Sequence, residues 1–278
     1  MIKPSPLMSF FSLSLEKLMI AMKKIFFFAF LISLYSCAQE KNWKIVWSDE
    51  FNYTGLPDSS KWTAEVGGHG WGNNELQYYT AGRNENARVE NGLLTIEARK
   101  ESWEGMKYTS ARLVTKNKGD WQYGKIEVKA KLPKGLGTWP AIWMLGSSTP
   151  LKWPDDGEID IMEHVGFNQG FIHASIHSKK FNHVIGTQKT DTVIVKDCSE
   201  NFHVYSVEWN KDSVRVAMDG NFYFRFANEH SGYDAWPFDN KMHLLLNLAV
   251  GGNWGGKKGV DENIWPQRME IDYVRVYQ

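Results

Sequence analysis

Gly124-Lys125-Ile126-Glu127-Val128-Lys129-Ala130-Lys131-Leu132 alternates residue by residue between apolar and charged side chains. Successive side chains of an extended chain point to opposite sides, so Ile126, Val128, Ala130 and Leu132 share one face while Lys125, Glu127, Lys129 and Lys131 share the other. That is the pattern of a β-strand with one face on a core and one in water. Working outward, the same short period covers Leu93 to Ala98, Phe202 to Trp209, Val214 to Met218, Phe222 to Phe226, Met242 to Val250 and Met269 to Tyr277. Asn91-Gly92 and Asp219-Gly220 are hairpin dipeptides, and the glycines at 67–72 and 251–256 mark loops at sheet ends. With no long helical pattern and no internal repeat, the expected fold is all-β: a jelly-roll sandwich of two antiparallel sheets, with a concave face free to hold a ligand.

The 278 residues suffice for one large domain, expected over residues 39–278. Residues 1–38 read as an extension and export signal. Met22-Lys23-Lys24 is basic, Ile25 to Leu34 is apolar but too short to span a bilayer, and Ser36-Cys37-Ala38 supplies small residues for cleavage. Met22 is a candidate true start, the alternative being a longer hydrophobic anchor that stays attached. Two processing routes are open: lipidation at Cys37, since Leu34-Tyr35-Ser36-Cys37 resembles a bacterial lipobox, or cleavage after Ala38. Either places the protein outside the cytoplasm, as an envelope lipoprotein or a secreted protein. The second cysteine, Cys198, is then left without a partner, so no disulfide is expected.

Lys plus Arg and Asp plus Glu number 32 each, so no net field favours nucleic acid, a membrane surface or a polyanion. Any membrane contact would come through lipid at Cys37, and a monomer is expected. Thirteen Trp, eleven Tyr and fifteen Phe exceed what a core of this size needs. Flat rings with a polar edge suit neutral amphipathic ligands such as sugars. Trp43, Trp47 and Trp62 read better as core.

Gly157-Glu158-Ile159-Asp160-Ile161-Met162-Glu163-His164-Val165 interleaves three carboxylates with large apolar residues. Strict alternation puts Glu158 and Asp160 on one face but sends Glu163 into the core, where a lone carboxylate is costly. A β-bulge near Ile161-Met162 resolves the conflict by returning Glu163 to the face of the other two acids. Four strand residues span about 13 Å at ~3.3 Å each, and two glutamates leaning together across a shortened span suit the separation of about 5–5.5 Å at which one acts as nucleophile and the other as acid/base. Crowding by like charges should hold Glu163 protonated. His173 and His177 lie four apart in a strand-like run and no His-Glu-x-x-His occurs, so zinc is not expected.

Glu158-Ile159-Asp160-Ile161-Met162-Glu163 resembles the active-site signature of glycoside hydrolase family 16, in its bulged, laminarinase-like form. Trp71-Gly72-Asn73-Asn74-Glu75-Leu76-Gln77-Tyr78-Tyr79, Gly137-Thr138-Trp139-Pro140-Ala141-Ile142-Trp143-Met144-Leu145 and Ile271-Asp272-Tyr273-Val274-Arg275-Val276-Tyr277 are similar to that subgroup as well. The resemblance implies a retaining endo-β-1,3-glucanase acting on β-glucan, without a catalytic cofactor, in which Glu158 is nucleophile, Asp160 assists and Glu163 is acid/base. It implies that Trp139, Trp143 and Trp153 line sugar subsites, that Asn73 and Arg112 bond hydroxyl groups and that His164, beside the acid/base, contacts the sugar as well. It also implies a structural Ca²⁺ on Glu50, the Gly92 carbonyl and Asp272. A galactan hydrolase or transglycosylase on the same scaffold is the alternative within enzymes; a non-catalytic glucan-binding lipoprotein is the alternative outside them.

Overall fold

The computed structural model describes residues 42–278; the expected export signal and the Cys37 lipidation site lie outside the described residues. The first strands are β1 (Ile45–Asp49), β2 (Thr63–Ala64), β3 (Gln77–Tyr79), β4 (Ala87–Glu90), β5 (Leu93–Trp103) and β6 (Met106–Ser110). Then come β7 (Arg112–Val114), β8 (Asp120–Trp121), β9 (Gly124–Lys131), β10 (Thr138–Gly146), β11 (Glu158–His164) and β12 (Phe171–His177). The last are β13 (Lys189–Ile194), β14 (His203–Trp209), β15 (Ser213–Met218), β16 (Asn221–Ala227), β17 (Met242–Val250) and β18 (Gln267–Tyr277).

One sheet runs in the order β16-β15-β14-β9-β18-β5-β6-β3, with β1 also on β18 and β4 on β5. The second runs β13-β12-β11-β10-β17-β7-β2, with β8 also on β17. Pairing is antiparallel except between β3 and β6. This is the expected jelly-roll sandwich. Strand β9 behaves as its alternation dictates: Ile126, Val128 and Ala130 are wholly buried. Its outer face carries ion pairs instead, Lys129 with Asp272 at 2.7 Å and Lys131 with Glu270 at 2.5 Å. Asn91-Gly92 and Asp219-Gly220 make their hairpins with positive φ at both residues, 55° and 77° in the first and 47° and 78° in the second.

The core is the layer between the sheets. Leu94, Ile96, Ile126 and Val128 from one sheet meet Ile142, Met144, Ile159 and Ile161 from the other in a single buried cluster. Each such side chain contributes about 1.5–3 kcal/mol when fully removed from water. Trp62 is buried and Trp47 packs edge-on against it at 5.6 Å, the core role expected of both. Cys198 is buried and free. The faces of β7, β10, β11, β12 and β17 that turn away from this core form the floor of a cleft of about 800 Å³.

Candidate active site

Strand β11 places all three acids on that floor, and it does so through a bulge. Against β10, Glu158 lies opposite Leu145, Asp160 opposite Trp143 and Glu163 opposite Ala141, with a register shift between Trp143 and Ile142. Against β12, Glu158 faces His177, Asp160 faces Ser175 and Glu163 faces His173, with the shift between Asp160 and Glu163. Two residues of β11, Ile161 and Met162, thus occupy the space of one, and both side chains are fully buried in the core. Gly157 precedes the strand with φ +84°, a conformation that suits glycine, and beyond the strand's end an added Cβ at Gly166 would lie 1.7 Å from the Gly135 carbonyl oxygen.

Tryptophans hold two of the acids. Trp153 Nε1 donates to Glu158 Oε2 at 2.8 Å, and Trp139 Nε1 donates to Glu163 Oε1 at 3.0 Å. Trp153 remains 38% exposed at the cleft edge, whereas Trp139 is 9% exposed and packs edge-on to Trp254 at 5.6 Å. Trp143 donates to Asn247 Oδ1 at 2.7 Å, and the Arg112 guanidinium lies between the rings of Trp143 and Trp71, 4.8 and 4.7 Å from their centres. Arg112 Nε also donates to Glu65 at 2.5 Å. Asn73 lines the same cleft.

Residues 74–275, which contain these strands, match glycosyl hydrolases family 16. The chain belongs to that family. A β-glucanase of Rhodothermus marinus is 53% identical over 245 residues, which is 85% of this chain and 86% of the relative. The solved laminarinase of Rhodothermus marinus superposes with a TM-score of 0.84 at 52% identity, covering 86% of this chain and 99% of its own. A non-specific endo-β-1,3(4)-glucanase of the same family gives a TM-score of 0.82 at 51% identity, covering 86% and 92%. Chemistry in the family needs no catalytic cofactor.

Electrostatics in this family 16 site is dominated by burial. Glu163 is pushed well above the ordinary carboxylate range, first by desolvation and then by the charges of Asp160 and Glu158. Glu158 is raised to about 8, again by desolvation and then by Asp160, while His177 and the Trp153 hydrogen bond pull the other way. Asp160 rises to about 7 through desolvation. Glu158 keeps 14% of its side chain open to cleft water, against 3% for Asp160. Glu163 faces the charges of two carboxylates where Glu158 faces that of one, which favours the proton on Glu163.

One expectation is corrected. His164 follows Glu163 on β11, so alternation turns it to the opposite face: it is fully buried, and its Nε2 accepts the Gly170 N–H at 3.1 Å. Desolvation, followed by His173, lowers its pKa to about 4, so it is a neutral structural group and not a sugar contact. The side chains implied as calcium ligands have protein partners in this structure. Both oxygens of Glu50 accept from Arg275, at 2.9 and 2.8 Å, and Asp272 pairs with Lys129 at 2.7 Å. Gly92 serves the hairpin turn.

The sequence reading also missed partners that only cross-strand register reveals. His177 Nε2 lies 3.3 Å from Asp160 Oδ2 and 3.7 Å from Glu158 Oε1. Behind Trp143, Asn247 Nδ2 donates to Tyr79 OH at 3.0 Å, and that hydroxyl donates to Glu75 at 3.2 Å. Gln77 Nε2 reaches the same Glu75 oxygen at 2.6 Å. Glu75, Gln77 and Tyr79 all lie in the motif that begins at Trp71, where alternation was a signal that could have grouped them.

Proposed function

We propose that this chain is a retaining endo-β-1,3-glucan hydrolase of the laminarinase type that also accepts mixed-linkage β-1,3-1,4-glucan. The observation that carries the reading is the bulge of β11, which sets Glu158, Asp160 and Glu163 side by side on the floor of an open cleft edged with tryptophan. An open cleft suits attack within a chain, and Trp139, Trp143 and Trp153 offer rings and N–H groups to successive glucose units, with Asn73 and Arg112 at the hydroxyls.

Glu158, kept in place by the Trp153 N–H, attacks the anomeric carbon. Glu163 gives its proton to the glycosidic oxygen as the C–O bond breaks, leaving a glycosyl ester on Glu158. A water molecule then attacks that carbon while the Glu163 carboxylate takes its proton; Glu158 leaves, and the configuration is retained. Asp160 keeps negative charge beside both glutamates, which supports a protonated Glu163 in the resting enzyme.

The test is reducing-end release and product size on laminarin, lichenan, agarose and cellulose, with Glu158→Ala and Glu163→Ala as controls. Short oligosaccharides from laminarin are expected. Glu158→Ala should abolish turnover while glucan still binds, and Glu163→Ala should lower kcat by about 10²–10⁴-fold. Activity on agarose alone would replace the substrate with a galactan, and binding without cleavage in the unsubstituted chain would favour a glucan-binding protein.

The export signal supports a further proposal, an envelope or secreted monomer with lipid at Cys37 or cleavage after Ala38; the mass of the mature N-terminal peptide decides between them. A structural calcium ion would have to displace Arg275 from Glu50 and Lys129 from Asp272, and an unchanged Tm on adding EDTA would dismiss it.

A further inference from the structure

His177 lies directly across from Glu158 in the register of β11 and β12. It is 6% exposed, and its Nε2 approaches Asp160 Oδ2 to 3.3 Å and Glu158 Oε1 to 3.7 Å. Asp160 is 2% exposed, yet its Oδ2 has no hydrogen-bond partner, so the short approach of His177 does not satisfy it. The Trp153 N–H occupies the other oxygen of Glu158 and leaves Oε1 turned toward this group. One nitrogen and two carboxylate oxygens thus converge within 4.8 Å of one another around an unsatisfied point.

That spacing has a chemical meaning. Tetrahedral zinc binds nitrogen and oxygen at about 2.0–2.2 Å, which sets neighbouring ligand atoms about 3.3–3.6 Å apart. Of the two separations from His177 Nε2, 3.3 Å falls on this edge length and 3.7 Å lies just beyond it. We propose that Glu158, Asp160 and His177 form a binding site for a divalent transition cation such as Zn²⁺, and that the bound ion inhibits cleavage by occupying Glu158. The cleft gives the ion a route in, and water completes its shell in place of the sugar. An imidazole among the ligands favours zinc, copper or nickel over calcium and magnesium, which take oxygen alone. The His177 Nδ1 has no partner to orient the ring, so the site is a reversible one and not a permanent structural centre. Binding stands independently of the proposed reaction; only the inhibition rests on it.

The test titrates Zn²⁺ by calorimetry into the full chain carrying Glu163→Gln, which leaves all three ligands in place, and into the same chain with His177→Gln added. One ion per chain is expected, with affinity reduced by about tenfold or more in the doubly substituted chain. Equal affinity in the two overturns the site. Should the His177 variant fail to melt cooperatively, Asp160→Asn replaces it, with the same loss expected and the same overturning result. In the unsubstituted enzyme Zn²⁺ should raise the KM for laminarin at unchanged kcat, EDTA should reverse this, and equal Mg²⁺ or Ca²⁺ should have no effect. Zinc bound at His177 without inhibition overturns the second half of the proposal. Failure to cleave laminarin at all would instead count against the proposed function, with the calorimetric result still deciding the site.

Discussion

Asp160 sits between two glutamates with one buried oxygen unpaired, so its charge acts on both neighbours. It raises Glu158 and Glu163 alike, which places both limbs of the proposed pH profile above the ordinary carboxylate range. The acid limb is the protonation of Glu158, raised to about 8, and the alkaline limb is the loss of the proton from Glu163, itself raised well above the ordinary carboxylate range. Asp160→Asn removes the charge, so both glutamates should fall and the bell of kcat/KM on laminarin should move bodily to lower pH. A profile that stays in place would remove Asp160 from the electrostatics of the pair. The three acids are legible in the sequence because carboxylates alternating with isoleucine have few other uses on a central strand. His177 was not, because its meaning lies in what stands across from it, and the spacing of residues within one strand carries no information about register.

The bulge belongs to the scale of the element. It could be read from the sequence because the alternative, Glu163 turned into the apolar layer, is energetically untenable, while Ile161 and Met162 both belong in that layer. The same rule of alternation that exposes Glu163 buries His164 one residue later, and there resemblance to a family misled where counting faces would not have. Deleting Met162 removes the extra residue, so strict alternation by itself keeps Glu163 on the cleft face with Glu158 and Asp160. The expected outcome is a folded protein that still cleaves laminarin, less stable by about 2–5 kcal/mol for the lost buried side chain, read from urea unfolding. Loss of cleavage in a protein that still melts cooperatively would mean that the bulge sets the spacing of the two glutamates as well as the face they share. The short strands β2, β3 and β8 escaped the sequence reading because two or three residues carry no measurable period; their pairing to longer strands is what extends them.

On the scale of the molecule, strand order is the least legible feature, since β9 pairs with β18 and β14, and β10 with β17, across long intervals that hydrophobic pattern does not encode. The charges show the same division. On the outer sheet the wholly buried Glu97 is met by Arg88 at 3.1 Å, by Arg268 at 2.7 Å and by Arg99, so its burial is compensated. On the inner sheet Glu158, Asp160 and Glu163 share one strand with no arginine or lysine paired to them among the described ion pairs, only the imidazole of His177. The molecule therefore holds strain at its cleft that the rest of the fold sustains. Glu163 carries a folded pKa well above the ordinary glutamate value, so between the two the unfolded carboxyl ionises while the folded one keeps its proton. Its contribution to stability is thus fully present at low pH and is lost as pH rises through that interval. Glu163→Gln removes the titration, and above neutral pH it should stabilise the protein by about 1 kcal/mol, a rise in Tm of about 2–4 °C, shrinking toward zero near pH 4. Calorimetric melting of the two proteins across that pH range checks both size and sign: a difference that grows on acidification would mean that Glu163 is stabilised as the carboxylate, and the proposed acid would have to be sought elsewhere on β11.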